Sequence, residues 1–209
     1  MKRSRVLFIG AALSALALGA WLGMTLAGRS AAPPTIRGTV FPDARAMPEF
    51  QLVDHNNEPY TREHTKNQWT LMYFGYTYCP DVCPTTLYEL AGADELLASD
   101  GEADDVVYTL VSVDPDRDTP ERLAQYVPHF GEKFRGATAT LDALTALTAP
   151  LGIVFARVDG TDTENYLVDH SSAVIVINPD GEFQAVLSAP HKAENMAADI
   201  QALKAYHDK

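Results

Sequence analysis

The sequence predicts an α/β domain, a central mixed sheet flanked by helices, behind one apolar N-terminal span. Three observations carry this. From Val6 to Gly28 runs "VLFIGAALSALALGAWLGMTLAG", 23 residues without an ionisable side chain. Beyond it, strand-like runs alternate with helical ones, and the chain closes on a hairpin and a helix. About 20 apolar residues cross a bilayer as a helix. Lys2, Arg3 and Arg5 precede the span, so the positive-inside rule keeps residues 1–5 cytoplasmic and sends the rest outward. Five residues cannot form a mitochondrial leader, and the span is longer than a secretory apolar core. The expectation is an uncleaved, single-pass anchor in a bacterial inner membrane, with a soluble domain facing the periplasm.

The segment "GRSAAPPTIRGTVFPDARAMP" (residues 28–48) has four prolines and little periodicity, and residues 29–48 read as a linker. The folded domain is expected from Glu49 to Lys209. "EFQLVD" (49–54) alternates like a half-buried strand, and "NNEPY" turns into a second short one. "WTLMYFGY" (69–76) is a continuous apolar run that suits a central strand. Thr86 and Glu89 have capping-box spacing, which predicts a helix from there to about Ser99. A buried strand over 105–114 follows, then a helix capped by Asp118 or Thr119 with Pro120 in its first turn. A short helix within 141–152, strands over 153–159, 172–178 and 182–188, and an amphipathic helix over 193–206 complete the order. The alternation implies a mostly parallel sheet, and the final hairpin and helix resemble the thioredoxin arrangement.

Residues 30–209 are enough for one domain with a proper core. The first 29 residues hold four basic and no acidic side chains, so the remainder sets 12 basic against 28 acidic, a formal charge of −16. That field repels nucleic acid and attracts cations or basic partners, although acidity also serves simple solubility.

The only two cysteines stand in "YFGYTYCPDVCPTTLYEL", Cys79 and Cys83, just past the most apolar run. In open α/β sheets the crevice beyond the carboxyl ends of the strands holds the site, and a helix start favours thiolate. A bridge around three residues removes little loop entropy, so a structural staple explains the pair poorly. On a regular helix, i and i+4 Cβ atoms lie about 5–6 Å apart, against roughly 3.8 Å in a disulfide. That separation favours a shared metal ion over a reversible disulfide. Among six histidines His170 stands out, because "YLVDHSSAVIVI" places it two residues before the strand leading into the hairpin. In a thioredoxin-like arrangement the loop there faces the cysteine turn. A plain loop role for Asp169 and His170 fits the position equally well.

Three motifs, "CPDVCP", "DPDRDTP" (114–120) and "YLVDHS" (166–171), behind one span, resemble the Sco/SenC family of membrane-anchored, thioredoxin-like copper proteins. The resemblance covers the domain from Glu49 onward. It implies that Cys79, Cys83 and His170 ligate copper as Cu(I), or as Cu(II) with an added oxygen ligand. It also implies a partner, cytochrome c oxidase subunit II, whose binuclear CuA centre the family loads with copper or prepares by reducing its cysteines. Another periplasmic copper chaperone or a thiol reductant is a further expected partner. Asp169 is a candidate to orient His170 from behind, and Asp81 to tune the metal or assist proton movement. Each also has a plain role, Asp169 in a loop and Asp81 at a helix start. Arg117 is a candidate contact for an acidic partner.

The expected role is therefore a metallochaperone and not an enzyme, with a periplasmic thiol–disulfide oxidoreductase built on Cys79 and Cys83 as the alternative. The usual redox motif has two intervening residues where this one has three. A thiol peroxidase using Cys79 is a third reading. Zinc would accept the same three ligands plus water, but the S₂N set suits copper better.

Overall fold

The computed structural model describes residues 32–158 and 166–208, together with residue 19. The chain divides into two units, residues 1–32 and 33–209, and every element named below belongs to the second. The span expected over 6–28 and the basic tail before it lie outside the described residues apart from Gly19. Among the described residues, no helix is long and apolar enough to cross a membrane.

In chain order the strands and helices begin with β1 (Gly38–Ala46), β2 (Gln51–Asp54), β3 (Pro59–Thr61), β4 (Trp69–Gly75) and α1 (Val82–Ser99). Then come β5 (Val106–Ser112), α2 (Pro120–Tyr126), β6 (Phe134–Thr138) and α3 (Leu141–Leu151). The chain ends with β7 (Phe155–Arg157), β8 (Val168–His170), β9 (Val174–Ile177), β10 (Glu182–Leu187) and α4 (Ala193–His207). Eight strands form one sheet in the order β1-β10-β9-β4-β5-β6-β2-β3, and β7 pairs with β8 apart from it.

As the unbroken apolar run of "WTLMYFG" requires, β4 is buried at every position and lies at the centre. Its neighbours are β5, parallel, and β9, antiparallel. Among the described strands only β4, β5 and β6 run parallel, so the sheet is mixed as expected, though less parallel than the alternation of strands and helices implies. The β2–β3 hairpin closes one end of the sheet, and at the other β1 covers the outer strand of the β9–β10 hairpin. The turn of the β9–β10 hairpin uses Gly181 at φ 73°, a left-handed conformation that glycine adopts without strain.

The linker expected over 29–48 is corrected as well, because residues 38–46 form β1 and pair with β10. Prolines did not prevent this. As an edge strand β1 has ladder groups to spare, and its register shifts between Val40 and Arg45, around Pro42. Gln184 Nε2 donates to the Phe41 carbonyl at 2.8 Å, and Arg37 N–H to the buried Asp199 carboxylate at 3.1 Å. A fragment starting at Pro33 therefore keeps the whole sheet, every described helix of the core, and the core itself.

Helix α1 starts at Val82, four residues ahead of the predicted capping box. Pro84 falls in the first turn, where its missing N–H costs nothing. Thr86 is buried inside the helix, and Glu89 instead accepts from the Ala193 N–H at 2.6 Å, tying α1 to the start of α4. Thr119 caps α2 by accepting from Arg122 N–H at 3.3 Å. Asp118, the other candidate cap, has a different task described below.

Candidate metal centre

Cys79 sits in the turn after β4, and Cys83 in the first turn of α1. Cys83 is fully buried and Cys79 is at the edge of burial, 9% exposed. The third expected residue arrives from the small two-stranded sheet, where Phe155 pairs with His170. Sequence reasoning placed His170 in a loop and left β8 unnoticed, because three residues are too few for a periodicity signal. Val154 N–H donates to Ser171 Oγ at 3.0 Å and Ser171 N–H to the Val154 carbonyl at 2.9 Å, which pins the strand end carrying His170.

The Cys79 and Cys83 sulfurs and a ring nitrogen of His170 all lie within 4.8 Å of one another. Cys83 Sγ is 3.1 Å from His170 Nε2, and Cys83 N–H points at Cys79 Sγ at 3.4 Å. His170 Nδ1 is 3.1 Å from the Ser171 carbonyl. A carbonyl only accepts, so Nδ1 carries the proton and Nε2 turns its lone pair toward the sulfurs. The Tyr73 and Tyr76 rings meet the imidazole edge-on, each 5.9 Å away, and restrict its tilt. The orienting bond expected of Asp169 thus belongs to the backbone of Ser171, and Asp169 is an exposed residue lining the opening. Asp81 occupies the N-cap of α1 without a side-chain cap bond. Its contribution is its backbone N–H, one of the groups that favour the Cys79 thiolate.

The two sulfurs differ in kind. The Cys79 thiol is pulled down to about 4, chiefly by the hydrogen bond from Cys83, against the cost of burial and helped by the backbone N–H groups of Asp81 and Cys83. Cys83 is pushed up, first because its proton is held by Cys79 and then by burial. One thiol proton therefore lies among three donor atoms, at a place where a soft cation would be held by the same lone pairs. Two thiolates and one imidazole at this spacing fit Cu(I), which accepts few, soft ligands.

A buried carboxylate holds the cysteine turn. Asp118 is fully buried and accepts from Thr77 N–H at 2.9 Å, Thr77 Oγ at 2.6 Å and Ser112 Oγ at 2.6 Å. It joins the turn after β4 to the end of β5. Next to it Asp114 accepts from Tyr166 Oη and, at 2.5 Å, from Arg117 Nε, while Arg117 Nη2 donates to the Tyr166 carbonyl at 3.0 Å. Val168 N–H donates to Tyr76 Oη at 3.2 Å. Thus the "DPDRDTP" stretch, read from sequence as a rim and a helix cap, binds the cysteine turn to the strand of His170. Gly75 completes the fit, since a Cβ there would lie 2.9 Å from the Tyr73 ring and 3.0 Å from Cys83 Sγ. The site opens through a cleft of about 240 Å³ lined by Tyr76, Cys79, Pro80 and Asp81 on one side and residues 167–170 on the other.

The fold and the site together define a thioredoxin-like domain with a Cys-Cys-His metal centre at the end of its central strand. The SCO1/SenC family model matches residues 40–205, and the chain belongs to that family. A Stutzerimonas stutzeri protein provisionally named as copper-binding is 34% identical over 182 residues, 87% of this chain and 88% of that protein. The Mus musculus mitochondrial SCO1 homolog is 33% identical over 160 residues, 77% of this chain but only 56% of its own length. Among solved structures, Bradyrhizobium japonicum ScoI with copper bound superposes with a TM-score of 0.67 at 32% identity, covering 77% of this chain and 99% of that one. Arabidopsis thaliana ScoI with copper bound gives 0.71 at 28% identity, covering 78% and 100%.

Proposed function

We propose that this chain is a copper metallochaperone whose domain carries one copper ion on Cys79, Cys83 and His170. Copper is its cargo. The observation that carries the reading is the convergence of two sulfurs and an Nδ1-protonated imidazole within 4.8 Å at an open cleft. Cys79 lies at the opening and Cys83 beneath it, so a recipient ligand reaches the Cys79 side of the ion first. Stepwise ligand exchange then moves copper without releasing it to solvent. The proposed recipient is the CuA site of cytochrome c oxidase subunit II, with residues 6–28 as the inner-membrane anchor and the domain in the periplasm.

A second reading rests on the lowered Cys79 pKa. As a reductase, the Cys79 thiolate attacks a partner disulfide to give a mixed disulfide, and Cys83 then displaces it. The partner gains two thiols, taking protons from Cys83 and solvent, and Cys79 and Cys83 end as a disulfide two electrons poorer. His170→Ala separates the readings. Anaerobic mixing of Cu(I)-loaded domain with the metal-free CuA domain of subunit II should transfer copper from the wild type and not from the variant. Oxidase assembly in cells that survives His170→Ala while failing with Cys79→Ser would assign the essential role to thiol reduction.

A further inference from the structure

Beside the cleft, five side chains form a continuous stack. Tyr166 has the Arg117 and Arg157 guanidinium carbons each 3.6 Å from its ring centre, a closeness that two groups achieve only on opposite faces. Arg117 also lies 4.7 Å from the ring centre of Tyr78, which Arg122 approaches at 5.0 Å. The row runs Arg122, Tyr78, Arg117, Tyr166, Arg157, and Tyr78 is the residue before Cys79.

Three cations packed into one row are unexpected on a domain of formal charge −16. Arg117 is held by Asp114 and the Tyr166 carbonyl. Among the described residues, Arg122 and Arg157 form no ion pair with a carboxylate. Ring stacking and, for Arg122, a 3.0 Å bond to Thr77 Oγ fix their positions. Guanidiniums held in place lose little freedom when they meet a planar carboxylate, and they bind it in a bidentate fork. Around them Tyr78 is 50% exposed, Val82 42% and Leu167 44%, an apolar margin such as interfaces bury at their centre. Asp81 and Asp169, by contrast, line the cleft itself, where they would repel an acidic face that approached from the wrong side.

We propose that the row from Arg122 to Arg157 is the docking surface for a carboxylate-bearing face of the protein that exchanges copper at Cys79. The row steers an acidic partner against the repulsion of the domain's overall charge, and the exposed Tyr78, Val82 and Leu167 side chains close over the cleft once it is seated. This rests on the carrier reading and adds the partner's chemistry to it.

The test uses the Cu(I)-loaded fragment 33–209 with two probes, the metal-free CuA domain of subunit II and a short peptide of alternating Glu and Ser. Arg157→Glu, alone and combined with Arg122→Gln, is expected to weaken binding roughly tenfold or more at low salt and to flatten its salt dependence. The Cu(I) affinity of Arg157→Glu stays unchanged, since Arg157 is neither a ligand nor bonded to the cysteine turn. Arg157→Glu on its own alters an exposed residue with no hydrogen bond to the cysteine turn, so it reports even where the double variant folds poorly. Equal binding by wild type and variants overturns the docking surface and leaves the carrier reading intact. Where the CuA domain fails to bind at all, that recipient is wrong and the peptide decides. Amide shifts confined to Tyr78, Arg117, Arg122 and Arg157 support the surface, and absence of shifts overturns it.

Discussion

Gly75 and Cys83 are fitted to each other: a single carbon added to Gly75 would stand 3.0 Å from the Cys83 sulfur, inside ordinary contact distance. Neither partner has room to yield, because Cys83 is fully buried and the Tyr73 ring blocks the other side at 2.9 Å. Gly75→Ala should therefore displace the buried sulfur from its place beside His170. We expect a loss of about 1–3 kcal/mol in urea unfolding, the usual cost of overpacking, and weaker Cu(I) binding. Unchanged Cu(I) affinity with unchanged stability would show that the sulfur's position is not set by this contact.

Asp118 is the post on which the cysteine turn hangs. Asp118→Ala leaves two hydroxyls and the Thr77 N–H without their acceptor, and should cost about 2–5 kcal/mol. Asp118→Asn keeps most acceptors and removes the titration, which gives a signed pH effect. Burial raises the folded-state pKa of Asp118 above its unfolded value, against the pull of the Ser112 and Thr77 hydrogen bonds. Its contribution to stability is thus full below the unfolded pKa of about 3.9 and declines as pH rises through the folded value. Unfolding curves from pH 4 to pH 7 should show Asp118→Asn gaining steadily on the wild type. A constant difference over that range would contradict the assignment.

Cys79 should react as a thiolate in the metal-free, reduced protein. With its pKa near 4, alkylation by iodoacetamide should vary little between pH 6 and 8 and fall only as pH approaches 4. Mass spectrometry should place the first label on Cys79, because Cys83 is fully buried and holds its proton. A tenfold rise per pH unit up to pH 8, as an ordinary thiol with pKa about 8.5 shows, would mean that the site does not stabilise the anion.

Strong, local patterns were legible in the sequence. The apolar run of β4, the cysteine pair at its end and the hairpin with its closing helix all stand where their residues predict. His170 was found by its position before β9, and the structure brings it to the sulfurs. What escaped depends on partners distant in the chain. β1 looks like a linker because its prolines are harmless only on an edge strand beside β10. β6 was missed altogether: "FRGAT" has little apolar pattern, and small Gly136 is needed because α2 packs against it, a Cβ there falling 2.9 Å from Leu123. Asp118 beside Thr119 reads as a cap, and only the tertiary fold shows its carboxylate turned inward to Thr77 and Ser112. A backbone carbonyl such as that of Ser171 leaves no mark in the sequence at all.

Cys79, Cys83 and His170 should act as one copper site, each lost ligand weakening the whole. Anaerobic Cu(I) titration of the fragment 33–209 against a chromophoric chelator measures this most directly, with wild type, Cys79→Ser, Cys83→Ser and His170→Ala in parallel. One Cu(I) per wild-type domain is expected, with each variant at least tenfold weaker by loss of a ligand. Retention of wild-type stoichiometry and affinity by His170→Ala, or failure of the wild-type domain to compete for Cu(I), would contradict it.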